Sequence, residues 1–414
     1  MSNAATRTDT RIQKIEGGIT APAGFKAAGV YAGIKPATHA WPLDVMLMTA
    51  DRPVSAAAVF TTNKTIAAPV VVSRENLDLS KGRARAIVCN SGCANACTGD
   101  AGMAVARSTV EFVARQLGCR SEEVLVASTG VIGVDLSLDK VKDGVSKALA
   151  ALTSDGHHNA MLAIMTTDPF PKETAVRVDT VAGSFVVGGM TKGSGMIEPM
   201  MATMLAFLTC DAQVEPALLK RALSAVTRDT FNAITVDGEC STNDTVFAMA
   251  SGASGVAIDE SSYPALEAGL RAVSKELALG IVRGGEGATK LVSITVTGAR
   301  EWAHAERAAR TIANSLLVKT AIHGGDPNWG RLVAAAGRSG VPFDLSSAAV
   351  HIGGIVLFEN GQPHDANAER AAAHLSGKEI DIELDLGTGG AERATIWTCD
   401  LSAEYVRINA DYRT

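Results

Sequence analysis

The 414-residue chain gathers its chemically capable residues in one run, Gly188-Gly-Met-Thr-Lys-Gly-Ser-Gly-Met-Ile-Glu-Pro-Met-Met-Ala-Thr-Met-Leu205. The first half is glycine-dense with a single lysine, Lys192, and the second half is apolar around the pair Ala202-Thr203. Successive backbone N–H groups in such a loop can cradle an anion. The spacing matches neither Gly-x4-Gly-Lys-Ser/Thr nor Gly-x-Gly-x-x-Gly, so it does not encode a nucleotide phosphate site. Composition alone leaves a second reading open, a glycine-rich turn leading into a buried strand.

Cys89, Cys93 and Cys97 stand four apart, which invites a metal reading. They cross a strand end and a Gly/Asn-rich turn, and no matching Cys/His pair follows, so small buried residues are expected and no metal. Seven cysteines in a chain this long do not form a disulfide framework and point to a reducing cytoplasm.

These residues need elements to position them. Residues 86–89 and 125–128 read as short buried strands that end in glycine-containing turns. Val110, Val113 and Leu117 mark a helix face between them. Leu266, Leu270, Val273 and Leu277 form a second stripe, and Ala305, Ala309, Ile312 and Leu316 a third. Ile380, Ile382, Leu384 and Leu386 alternate with acidic residues, and Val292, Ile294 and Val296 repeat that period of two, as half-solvated strands do. The expected architecture is layered α/β (α+β), with helices packed on mixed or antiparallel sheets. Hydrophobic residues at 47% provide a sizeable core, and only 4% of residues are aromatic, so aliphatic side chains must fill it. A net charge of −6 argues against nucleic acid or an anionic membrane as partner. No apolar stretch approaches the roughly 20 residues that span a bilayer.

The run from Lys192 reads Lys-Gly-x-Gly-Met-x-x-Pro-x-x-Ala-Thr-Met-Leu. Other motifs flank it in order: Thr61-Thr-Asn-Lys, Asn90-Ser-Gly-Cys-Ala-Asn-Ala-Cys-Thr-Gly99, Ser128-Thr-Gly-Val-Ile-Gly133 and Met165-Thr-Thr-Asp168 before it. After it come Val236-Asp-Gly-Glu-Cys-Ser-Thr-Asn-Asp244, Gly285-Glu-Gly-Ala-Thr-Lys290, Gly325-Asp-Pro-Asn-Trp-Gly-Arg331 and Glu404-Tyr-Val-Arg-Ile-Asn409. Over nearly its whole length the chain resembles the ornithine acetyltransferase family, the bifunctional glutamate N-acetyltransferase/amino-acid acetyltransferases. It departs from the family at Met200 and Cys93, where Asn is frequent, and around His39-Ala-Trp-Pro42.

The resemblance implies an N-terminal-nucleophile-like sandwich and a precursor that cuts itself between Ala202 and Thr203. Residues 1–202 then form an alpha chain and 203–414 a beta chain, intertwined in one catalytic unit and paired as α2β2. A threonine hydroxyl needs a base beside it to attack. Attack on the small Ala202 carbonyl turns the peptide into an ester, and the freed α-amine is a weak base suited to later proton transfers. Thr203 would next take an acetyl group from N-acetylornithine and pass it to glutamate. By the same resemblance Thr129 and Gly130 supply the oxyanion hole, while Thr166, Lys192, Thr203, Glu286, Asn409 and Thr414 bind substrate. Lys192 suits the α-carboxylate and Glu286 the ornithine ammonium, although from composition alone Glu286 and Asn409 read as surface residues. Asp326 and Arg331 are expected either to orient the site or to staple a loop.

No cofactor is called for, because the acetyl group rides on threonine; some members of the family also take it from acetyl-CoA, and no motif here decides that point. Three other readings stay open: an N-terminal-nucleophile amidohydrolase or aminopeptidase that hands the acyl group to water, a non-catalytic homologue, and an acetyltransferase of antibiotic biosynthesis.

Overall fold

A computed structural model describes residues 10–198 and 204–411. The chain begins with β1 (Arg11–Ile15), β2 (Phe25–Val30), β3 (Val45–Phe60) and α1 (Ala68–Leu79). Next come β4 (Arg83–Cys93), α2 (Gly99–Leu117) and β5 (Val124–Val131), with β4 and β5 parallel. Helices α3 (Leu138–Ala150) and α4 (His157–Ile164) precede the hairpin of β6 (Glu173–Thr180) and β7 (Gly183–Lys192). Then β8 (Leu205–Cys210), α5 (Pro216–Asp229), β9 (Thr245–Ala250) and α6 (Tyr263–Arg283) complete the first layered body.

The second body holds β10 (Leu291–Ala299), α7 (Trp302–Ala313), α8 (Leu316–Gly324), α9 (Trp329–Gly337), β11 (Ala349–Ile352), β12 (Ile355–Glu359) and β13 (Gln362–Pro363). It closes with α10 (Ala368–Leu375), β14 (Glu379–Asp385), β15 (Glu392–Cys399) and α11 (Ala403–Asp411). The mixed α/β layering expected from the pattern is what the structure has.

Among the described residues, one sheet orders its strands β1-β6-β7-β8-β9-β3-β4-β5, with β2 paired to β3, and the other β13-β12-β11-β14-β10-β15. Both mix parallel and antiparallel pairs. Burial on both faces explains the continuous apolar run of β3. Val45 and Leu47 join Val88, Val110 and Val145 on one side, while Met46 and Met48 meet Met161, Ile164, Phe207 and Phe247 on the other. Farther along this sheet, α6 lays Leu270, Val273 and Leu277 on Phe185 and Val187 of β7. The second sheet shows one wet face, since Ile380, Ile382 and Leu384 point inward while Asp381 and Glu383 do not. The third helical stripe is shorter than its periodicity suggests. Ser315 caps α8 by accepting from the Val318 amide, so Leu316 starts a new helix and is exposed.

Two features place the site. Residues 193–204 connect antiparallel neighbours β7 and β8, whose pairing runs up to Lys192 opposite Leu205. Strands from either side of that connection interleave in one sheet, because β8 pairs with β9 and β9 with β3.

Candidate active site

Six of the expected site residues converge on one cavity of about 130 Å³: Thr129, Gly130, Thr166, Lys192, Glu286 and Asn409. Ala202, Thr203 and Thr414 lie outside the described residues. The described chain reaches Glu198 before this pair and resumes at Met204 after it, and each of these sides is tied down by a carboxylate. On the near side Asp237 accepts from the amides of Met196 (2.7 Å) and Ile197 (2.8 Å), and the Glu198 amide donates to the Glu239 carbonyl (2.7 Å). On the far side the Met204 amide donates to Oδ1 of Asp244 at 2.8 Å, and the Met204 carbonyl accepts from the Thr245 amide.

Asp244 is buried, and its Oδ2 has no hydrogen-bond partner among the described residues. Burial pushes its carboxyl well above the usual range, against the pull of the Met204 amide and Lys192. This carboxyl, its pKa raised by burial, thus holds the amide of Met204, the residue that follows Thr203.

Thr129 and Gly130 lie in the last residues of β5, where Gly130 pairs with Gly92 and the β4–β5 register shifts at Cys93. Gly130 has φ of +129°, and a side chain there would collide with the Gly92–Cys93 backbone, so only glycine fits. Asn243 clamps the turn by donating to the carbonyls of Ala94 (2.7 Å) and Ser128 (2.9 Å). The Ser128 hydroxyl donates to Asn90 at 2.7 Å. A rigid hydroxyl and strand-end backbone of this kind suit an oxyanion that forms at one fixed place.

Lys192 ends β7, is 5% exposed, and has its ammonium pKa lowered by burial against the opposing pull of Asp168 and Asp244. Asp168 organises the floor. It accepts from Lys172 Nζ (2.6 Å), the Gly193 amide (2.8 Å) and the Thr166 amide (3.1 Å). Burial pulls its carboxyl up, yet Lys172, Lys192 and the Gly193 amide outweigh it and hold the pKa at about 2. Lys35, lowered to about 8 by burial, donates to the Met165 carbonyl at 2.9 Å and braces the same segment.

Glu286 lines another wall of the same cavity. It is 7% exposed, which corrects its reading from composition as a surface residue. Its amide donates to the Ser194 carbonyl (2.9 Å), and its Oε2 accepts from Asn409 Nδ2 (2.8 Å) on α11. A side chain at Gly195 would occupy the space of this carboxylate, which explains the glycine. Tyr405, one turn before Asn409, donates to Asp237 at 3.2 Å and joins the wall to the loop anchor.

The cavity therefore brings a lysine and a carboxylate into one lining, groups suited to an amino acid with a charged side chain. Asp168, Asp237, Asn243, Asp244 and Tyr405 were not singled out in the sequence, though each stands inside a motif that was. Asp326 and Arg331 do not line the cavity. Arg331 donates to the Leu317 carbonyl and Asn328 caps α9, so this turn ties α9 to the start of α8 rather than to a loop. Burial pushes the Cys89 thiol up to about 12, and the described residues contain no His/Cys/Asp/Glu cluster able to hold a metal.

The ArgJ family profile matches residues 26–414. The chain belongs to the ArgJ family. This bears out the resemblance drawn from the motifs. An ArgJ relative from Parasynechococcus marenigrum, an arginine biosynthesis bifunctional protein, is 46% identical over 402 residues, 97% of each chain. Another, from Chlorobaculum tepidum, is 49% identical over 95% of this chain and 96% of its own. Among solved structures, the Bacillus halodurans ArgJ protein aligns at 42% identity and a TM-score of 0.49, covering 51% of this chain and all of that one. An ornithine acetyltransferase from Mycobacterium tuberculosis, solved with ornithine, aligns at 40% identity and a TM-score of 0.41, over 47% of this chain and 99% of its own.

Proposed function

We propose that this ArgJ-family chain cuts itself between Ala202 and Thr203 and then moves an acetyl group from N-acetylornithine to glutamate through an acetyl-Thr203 intermediate. Membership of the family makes it an acyltransferase of arginine biosynthesis. The observation that carries the finer reading is the single cavity joining Thr129 and Gly130 to Lys192 and to the Glu286–Asn409 pair, at the loop that bears Thr203.

The steps balance. The Thr203 hydroxyl adds to the Ala202 carbonyl, the C–N bond breaks, the hydroxyl proton passes to the nitrogen, and water opens the ester to leave a carboxylate and an α-amine. In transfer, the same oxygen takes acetyl from N-acetylornithine and ornithine leaves with a proton. Glutamate's amine then attacks the acetyl ester, the new α-amine accepting and returning the proton. Thr129 and Gly130 stabilise each tetrahedral oxyanion, Lys192 holds the α-carboxylate, and Glu286 the ornithine ammonium. Thr166 and Thr414 complete the substrate contacts.

The relatives' description as bifunctional supports acetyl-CoA as a second donor, tested by supplying it in place of N-acetylornithine. We place the reaction in the cytoplasm and the mature protein as α2β2. No helix among the described residues is long and apolar enough to cross a membrane.

Intact mass of the purified protein and of Thr203→Ala tests the scheme. Two chains are expected for the first and one for the second, with acetyl transfer lost. Cleavage of Thr203→Ala would show that another residue is the nucleophile, and acetate release equally fast without glutamate would make the enzyme a hydrolase.

A further inference from the structure

A second, larger cavity lies elsewhere. A cleft of about 780 Å³ opens between the end of α5, α7 and β15, within the usual range for a small organic ligand. Five arginines line it, Arg228, Arg307, Arg310, Arg338 and Arg393, against three carboxylates.

The carboxylates are committed. Asp229 accepts from Arg228 (3.0 Å) and Arg271 (2.8 Å), Glu306 from Arg310 (2.6 Å), and Glu198 from the Thr235 hydroxyl (3.0 Å) and the Asn314 amide. Arg307 and Arg393 are exposed, and their guanidinium groups make no hydrogen bond or ion pair among the described residues. Arg338 has one long bond, 3.4 Å, to the Thr311 carbonyl. Behind the cleft lining, Arg310 Nη1 and Asn232 Oδ1 are closed off from solvent without a partner among the described residues. Unpaired buried polar atoms cost stability unless something meets them. At the mouth stands Trp302, 46% exposed, with the Arg228 guanidinium 6.0 Å from its ring centroid.

Forked, permanently charged donors around an open space suit phosphate oxygens, and an exposed indole suits a flat ring. We propose that this cleft binds a nucleoside phosphate, with its phosphates on Arg307, Arg338 and Arg393, and its base on Trp302. The cleft reaches Glu198, five residues before Thr203, and so backs onto the loop that carries the nucleophile. Nothing in this assignment depends on acetyl transfer.

The test is direct titration of the full-length protein with ADP, followed by calorimetry and by tryptophan fluorescence, with pyrophosphate and adenosine as comparison ligands. Saturable ADP binding is expected, weakening steeply with added salt, and tighter than either comparison ligand. Replacing both Arg307 and Arg393 by Ala should weaken it at least about tenfold, as loss of a charge-assisted bond does, and Trp302→Ala should remove the fluorescence response. These side chains are exposed, so unchanged thermal melting is expected; Arg393→Glu alone serves if the double variant does not fold. Absence of ADP binding at millimolar concentration, ADP affinity untouched by the arginine variants, or pyrophosphate binding as tightly as ADP would each overturn the proposal.

Discussion

Replacing Glu286 by Gln isolates the charge that distinguishes the two substrates. Glutamine keeps the size, and its side-chain oxygen can still accept from Asn409 Nδ2, which lies 2.8 Å from the native carboxylate. What disappears is the negative charge in a wall only 7% exposed. A hydrogen bond to a charged group is worth roughly 1.5–3 kcal/mol, so kcat/KM for N-acetylornithine should drop about 10- to 150-fold. Glutamate carries no side-chain ammonium and gains nothing from that carboxylate, so the second half-reaction should keep its rate or rise. Rapid-quench intact mass measures both halves, first as the gain of an acetyl group on the nucleophile-bearing chain and then as its loss when glutamate is added. Equal losses in both halves would mean that Glu286 merely supports the fold. No loss in the first would place the ammonium elsewhere.

Asp168→Asn removes the counter-charge of Lys172 in a pair almost free of solvent, and urea unfolding should show about 3–5 kcal/mol less stability. The native carboxyl is held at about 2 against an ordinary 3.8, so its contribution is complete above 3.8 and is lost as pH falls toward 2. Asp244 has the opposite sign: its raised value means that stability falls as pH climbs from 3.8 through the folded value, and Asp244→Asn should flatten that slope in urea melts taken across the range. Gly130→Ala meets both the φ of +129° and the Gly92–Cys93 backbone, and kcat in steady-state assays should drop by up to about 10²–10³, as for a lost oxyanion donor. Removing residues 403–414 should abolish acetyl transfer while calorimetry shows little change in melting, because no residue of α11 is buried.

Local pattern made much of the framework legible. The alternation of Ile380, Ile382 and Leu384 with Asp381 and Glu383 is the burial pattern of β14, and the stripe from Leu266 to Leu277 is the buried face of α6. Leu316 went the other way, since a single capping serine outweighed a periodicity that would have extended α7. The site was legible only through motif resemblance. Glu286 is buried because Gly195 and α11 close over it, contacts between segments far apart in sequence that no local pattern encodes. Asp168, Asp237 and Asp244 are ordinary acidic residues in the sequence. Their importance comes from the amides and lysines that folding aims at them.

The pairing of β7 with β8 carries a consequence for how such a protein can be made. While the chain is whole, Lys192 and Leu205 meet as two ends of a short tether, at the high effective concentration that a loop imposes. A cut within that loop leaves the native sheet in place, since β8 stays hydrogen-bonded to β7 and β9. It changes the unfolded state instead, where two separate chains must now find each other. Refolding of the cut form would depend on protein concentration and that of Thr203→Ala would not. The fold would be assembled once, from the uncut chain, and kept afterwards by the slowness of its loss.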